Sequence, residues 1–128
     1  MDRILVVDDS TLMRRAIREI VEPEGFAVVA EARDGVEAVE LFDALRPGLV
    51  LVDLLMPRRS GVETVAEIRR LDTEAGVLVA AGLGQEELAA AAVVEGADDF
   101  VRKPFHPRRL LRALERARPK QLIPARPS

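Results

Sequence analysis

Three aspartates and one lysine stand where short apolar runs end. Ile4-Leu5-Val6-Val7 leads into Asp8-Asp9, Leu49-Val50-Leu51-Val52 into Asp53, and Phe100-Val101 through Arg102 into Lys103-Pro104. If these runs are neighbouring parallel strands, the charged groups meet at the strands' carboxyl ends, where open α/β sheets place their ligands. Carboxylates gathered at one point repel each other unless a cation lies between them. A hard, oxygen-liganded ion such as Mg²⁺ suits that donor set. The ammonium also stands out. Of 19 Lys and Arg residues only Lys103 and Lys120 are lysines, so the chain uses arginine almost everywhere else. Lysine is a compact point charge on a flexible stem, and arginine does not replace it.

The elements that must position these groups are legible in the hydropathy pattern. Continuous apolar runs, typical of strands buried on both faces, predict strands at Arg3–Val7, Ala27–Ala32, Leu49–Val52, Val77–Ala81 and Asp99–Val101. Helical patterns lie between them. Thr11–Val21 places Leu12, Ala16, Ile17 and Ile20 on one face. Gly35–Arg46 turns Val36, Val39, Leu41 and Phe42 inward, and Val62–Leu71 turns Val65, Ile68 and Leu71. Glu86–Glu95 is alanine-rich and apolar almost all round, and Pro107–Arg118 groups Leu110, Leu111, Leu114 and Ala117. Ser10 is placed to cap the first helix, Pro23 and Gly25 to end it, and Pro47-Gly48 to close the second. Gly76 and Gly96 follow helices at C-terminal cap positions, and Pro107 opens the last helix. Strands alternating with helices imply right-handed crossovers and a sheet covered on both faces.

Composition narrows the function classes. A chain of 128 residues with 48% hydrophobic content fits one domain with one sheet-centred core. No apolar run reaches membrane-spanning length, and Met-Asp-Arg leads into a strand-like run rather than a signal sequence. The absence of cysteine excludes disulfides and thiolate chemistry and fits a reducing cytoplasm. A net charge of −3 argues against direct nucleic-acid binding by the domain. His106 is the lone histidine and reads as a surface loop residue, and Asp98-Asp99 reads as a turn before the fifth strand rather than a second metal site. The domain is expected over residues 1–118, with a flexible proline-rich tail or the start of a linker at 119–128.

Taken in order, Val7-Asp8-Asp9-Ser10, Asp53 with Met56-Pro57 and Gly61, Gly96-Ala97 before Phe100, and Lys103-Pro104-Phe105 resemble the receiver domain of two-component response regulators. The likeness covers roughly residues 3–118 and is closest to the CheY-like single-domain members. It implies a flavodoxin-like, doubly wound, five-stranded parallel sheet with five helices and strand order 2-1-3-4-5, the order shared by flavodoxin and CheY themselves. It also implies that Asp53 is the phosphoacceptor and that Asp8, Asp9, Asp53 and the backbone carbonyl of Leu55 hold Mg²⁺. Lys103 then stabilises the phosphoryl group, with a cis Lys103-Pro104 peptide aiming its ammonium inward. The implied partners are a sensor histidine kinase or phosphotransfer protein as donor and a downstream target or output domain as recipient, with dimerisation through a receiver face open.

One position departs from the family pattern. Receivers normally carry Ser or Thr at the end of the fourth strand, and ungapped alignment puts Ala81 there. Ala81 has no hydroxyl to follow a phosphoryl oxygen, so the usual coupling to an inward-turning aromatic, here Phe100, loses its first link. Gly82 is the substitute: without a side chain, its backbone N–H can approach the phosphate. Leu55 and Leu83 occupy positions that often tune dephosphorylation, and apolar groups there imply slow self-hydrolysis. Phe100 reads equally as a core residue or a switch. Arg108, Arg112 and Arg116 form a helical stripe that reads as a solvated face or, with Ala90, Val94 and Phe100, as a partner face.

Three function classes follow. The first is a regulator that accepts phosphate without being an enzyme in the ordinary sense, and the second a degenerate receiver serving as a phosphate sink or constitutive interaction module. The third, an aspartyl-nucleophile phosphatase, wants a second Asp two residues after the first, where this chain has Leu55. Dinucleotide binding wants a glycine-rich turn where the chain has Asp8-Asp9-Ser10.

Overall fold

The computed structural model describes residues 2–56 and 58–119. Pro57 of the Met56-Pro57 motif and the tail from residue 120 onward lie outside the described residues. Strands β1 (Asp2–Val7), β2 (Phe26–Ala32), β3 (Leu49–Asp53), β4 (Gly76–Ala81) and β5 (Asp99–Arg102) alternate with helices α1 (Thr11–Val21), α2 (Gly35–Leu45), α3 (Gly61–Leu71), α4 (Glu86–Val94) and α5 (Pro107–Ala117). A single 3-10 turn, Glu22–Glu24, follows α1. All four strand pairings are parallel, in the order β2-β1-β3-β4-β5.

Strand alternation sorts the core onto two sides. Leu5, Val7, Val50, Val52, Val77 and Val79 pack with Phe42, Val65, Ile68 and Ala89, under α2, α3 and α4. Ile4, Val6, Leu49, Leu51, Leu78 and Ala80 pack with Ile17, Val21, Leu110 and Leu114, under α1 and α5. The central strands β1, β3 and β4 are buried on both faces along most or all of their length, as their unbroken apolar runs require, while the edge strand β5 buries only Val101.

Helix starts follow local chemistry. The Ser10 hydroxyl accepts from the Met13 N–H, Asp34 accepts from the Glu37 N–H, and Ser60 with Glu63 forms a reciprocal capping box. Gly96 closes α4 with φ +123°, a left-handed conformation that favours glycine. Gly76 is not a helix cap. It is the first residue of β4 and lies against the end of α5 at Ala117, where a side chain would not fit.

The expected face of α1 is also corrected. Leu12 is 78% exposed and Ala16 points outward, while Arg14, Ile17 and Val21 are buried. Periodicity counts Arg14 as polar and therefore outward, but its guanidinium finds buried partners. In α2 the buried side chains are Ala38 and Phe42, with Val36 and Val39 only half-buried. In α5 Ala113 is buried and Leu111 half-buried.

Candidate functional site

β1 and β3 are hydrogen-bonded neighbours and end level with each other, Val7 opposite Val52. Asp8-Asp9 and Asp53 therefore leave the sheet side by side. The three residues each offer a carboxylate oxygen within 4.8 Å of the others, the one such acidic group among the described residues. Asp8 is 2% and Asp53 5% exposed, while Asp9 stands in solvent. Lys103 directly follows β5 and is joined to Pro104 by a cis peptide bond. Its Nζ lies 2.9 Å from Asp8 Oδ2 and 3.2 Å from Asp53 Oδ1.

Gly61 brings α3 onto the same end of the sheet. Its N–H donates to the Leu54 carbonyl at 3.0 Å, and a Cβ there would strike the Asp53 backbone. Only glycine allows the helix to begin so close to the site.

The electrostatics show one ammonium shared among too many carboxylates. Burial is the largest influence on Asp53 and raises its pKa, reinforced by the Asp8 charge. Lys103 and the Leu55 backbone N–H pull the other way without cancelling it. Burial alone would lower the Lys103 pKa, but its hydrogen bond to Asp8 and the charges of Asp53 and Asp8 outweigh that and raise it. Lys103 is thus firmly protonated, while Asp53 still lacks full compensation. An all-oxygen donor set with residual negative charge matches the coordination preference of Mg²⁺.

These features coincide with a known family. The model of the response regulator receiver domain family matches residues 4–115. The chain belongs to that family. The receiver is 42% identical to the chemotaxis protein CheY of Listeria monocytogenes over 117 residues, which covers 91% of this chain and 98% of that protein. It is 40% identical to CheY of Bacillus subtilis over 114 residues, with 89% and 95% covered. Among solved structures, a receiver domain from Clostridium thermocellum superposes with a TM-score of 0.86 at 28% identity, over 91% of this chain and 94% of that one. A complex of CheX and CheY from Borrelia burgdorferi, with BeF3 and Mg²⁺, matches with a TM-score of 0.85 at 29% identity, over 90% and 87%.

The rest of the receiver's site separates into groups that converge and groups that do not. Ala81 ends β4 as a buried core residue, and the Lys103 N–H donates to its carbonyl at 2.9 Å. The Gly82 N–H, read from the sequence as able to approach the phosphate, donates here to Gln85 Oε1 at 2.7 Å. Leu55 is exposed and Leu83 95% exposed. Phe100 is 37% exposed while its neighbour Val101 is buried, which removes Phe100 from the core. Ala90, Val94, Arg108, Arg112 and Arg116 all lie outward. Asp98 is a turn residue, as expected, accepting from the Val77 N–H and from Arg69.

Two residues escaped the sequence reading. Arg14, buried on α1, donates to the Asp8 carbonyl at 2.7 Å and to Glu31 at 3.0 Å, pinning the backbone that carries the acidic pair. Its spacing of three from Ile17 and seven from Val21 was the available signal, since both are inward positions of one helix. Gln85 gave no periodic signal, because its role depends on a turn folding back.

Proposed function

We propose that this receiver accepts a phosphoryl group on Asp53 from a phosphohistidine donor in a Mg²⁺-dependent step. The observation that carries the reading is the placement of Asp53 between two further carboxylates and the Lys103 ammonium, 3.2 Å from Asp53 Oδ1. An Asp53 carboxylate oxygen forms the new O–P bond as the donor's P–N bond breaks. The electron pair stays on the leaving imidazole nitrogen. Asp8, Asp9, Asp53 and the Leu55 carbonyl are the residues that would hold Mg²⁺, which when bound supplies charge neutralisation for the phosphoryl oxygens. Lys103 has its own part: it holds a positive charge beside the attacking carboxylate and turns toward the phosphoryl oxygens. Arg14 keeps the Asp8-Asp9 backbone in place.

The partners inferred are a sensor histidine kinase or phosphotransfer protein on the donor side and a target protein or output domain on the other. Ala90 and Val94 on α4, Phe100 on β5, and Arg108, Arg112 and Arg116 on α5 form the proposed partner face. A groove between β5 and α5, lined by Phe100, Arg102, Phe105, Arg109, Arg112 and Arg116, adds positive charge suited to an acidic partner. We place this activity in the cytoplasm, where histidine kinase domains operate.

Incubation with acetyl phosphate and Mg²⁺ tests the reading. The expected result is a mass gain of one phosphoryl group, absent in Asp53→Asn and absent with chelator. No gain in the unaltered protein overturns it. Ala81 favours a second reading, in which phosphate is accepted but switching is lost and the domain acts as a sink or constitutive interaction module. Spectra unchanged by beryllofluoride outside the site itself would support that alternative.

A further inference from the structure

The end of β4, where Ala81 offers no hydroxyl, is followed by a hydrogen-bonded turn between Gly82 and Gln85. The Leu54 N–H donates to the Ala80 carbonyl, on the β3 side, and the Lys103 N–H donates to the Ala81 carbonyl, on the β5 side. Backbone polar groups alternate between neighbouring strands. Continued one residue further, the Gly82 N–H returns to the β3 side, where Asp53 leaves its strand opposite Ala80. That N–H donates to Gln85 Oε1 at 2.7 Å.

Gln85 behaves unlike the residues at three other helix starts. Ser10, Asp34 and Ser60 each direct a side-chain oxygen forward onto the first turn of their own helix. Gln85, at the start of α4, directs its oxygen backward onto Gly82, so α4 has no side-chain cap. The Gln85 backbone also donates to the Gly82 carbonyl at 3.2 Å and accepts from the Ala89 N–H at 2.9 Å. A single residue therefore joins the end of β4 to the first turn of α4.

We propose that Gln85 is a positioning residue of the phosphoryl site: its carboxamide oxygen holds the Gly82 N–H in the place that a phosphoryl oxygen on Asp53 takes over, and its displacement passes the event to α4. This rests on Asp53 as the phosphoacceptor. An N–H serves one strong acceptor at a time. A charged oxygen makes a hydrogen bond roughly twice as strong as a neutral one, so the phosphoryl group displaces the carboxamide. The released oxygen then has the unpaired N–H groups of α4's first turn within its own neighbourhood. The link uses a backbone donor and an amide where relatives use a hydroxyl, so it operates with alanine at position 81.

Two variants and two readouts test it. Gln85→Ala frees the Gly82 N–H: its amide exchange in the unphosphorylated protein speeds up about tenfold or more, and the initial rate of acetyl-phosphate-driven mass gain rises about fivefold, the weight of one net hydrogen bond. Gln85→Glu keeps an acceptor on Gly82, so exchange stays slow, but its charge opposes the incoming group and the rate falls below that of the unaltered protein. A purely structural Gln85 would leave both rates alone. Unchanged Gly82 exchange in Gln85→Ala, or equal transfer rates in all three proteins, overturns the Gln85 assignment while leaving Asp53 intact. No mass gain even in the unaltered protein removes the phosphoacceptor reading and this assignment with it.

Discussion

The two ends of the sheet treat charge in opposite ways. At the amino ends of the strands, arginines close the structure. Arg69 donates to the Gly96 and Ala75 carbonyls and pairs with Asp98 at 3.0 Å, and Arg46 donates to the Leu71 carbonyl at 2.7 Å. Arg118 pairs with Asp2 at 2.8 Å and lies over the Phe26 ring, tying the end of α5 to β1 and β2. Positive groups there meet backbone carbonyls and carboxylates brought together from several elements. At the carboxyl ends, three carboxylates gather around one ammonium that pairs with only two of them, Asp8 and Asp53. One end spends its charges on holding the fold, and the other leaves charge unbalanced, as the proposed uptake of a cation and a phosphoryl group requires. The site is therefore built at some cost to stability, and the opposite end of the sheet offsets it.

The sharpest way to break the comparison is Asp53→Asn. Phosphoryl transfer from acetyl phosphate should vanish completely by mass, yet without Mg²⁺ at neutral pH the melting temperature should rise by a few degrees, because a buried and under-compensated charge is gone. Arg69→Ala is the mirror experiment. Urea unfolding should show a loss of about 3 kcal/mol, since the Gly96, Asp72, Thr73 and Ala75 carbonyls and the Asp98 carboxylate lose a charged donor, while Mg²⁺ affinity stays unchanged.

Acidity sharpens the contrast next. The folded protein holds Asp53 above its ordinary pKa, so the unfolded chain gives up that proton first. In metal-free solution stability should fall as pH rises from the ordinary carboxylate value through the folded one, and the deficit should persist at neutral pH. Mg²⁺ affinity should run the other way, weakening as pH falls through the raised value, and titration at several pH values reads it directly. The smallest effect belongs to Glu31. Its hydrogen bond from Arg18 is the largest influence holding its pKa down, with Arg14 adding to it against burial. The stabilisation is present above the ordinary glutamate value and is lost as pH falls below it. Glu31→Gln should cost under about 1 kcal/mol at neutral pH, as expected for a partly exposed pair, with the difference shrinking in acid.

The central strands β1, β3 and β4 were legible almost residue for residue, because burial on both faces leaves an unbroken apolar run with no period to misread. The acidic pair, Asp53 and Lys103 were legible for the same reason: each stands where such a run stops. Helix faces were less legible. Leu12 is apolar and Arg14 polar, yet Leu12 lies outward and Arg14 inward, since the Asp8 carbonyl and Glu31 receive the guanidinium from elements distant in sequence.

Hydropathy period, punctuation by glycine and proline, and residue type at strand ends are properties of short segments, so the order of residues by itself determined the α/β architecture and which side chains would gather. Whether a given polar group is free or engaged depends on partners brought in by the fold. Only the tertiary structure decided that Gly82 is already hydrogen-bonded, that Phe100 lies outside the core, that Gly76 yields to the end of α5, and that one lysine answers to two buried carboxylates.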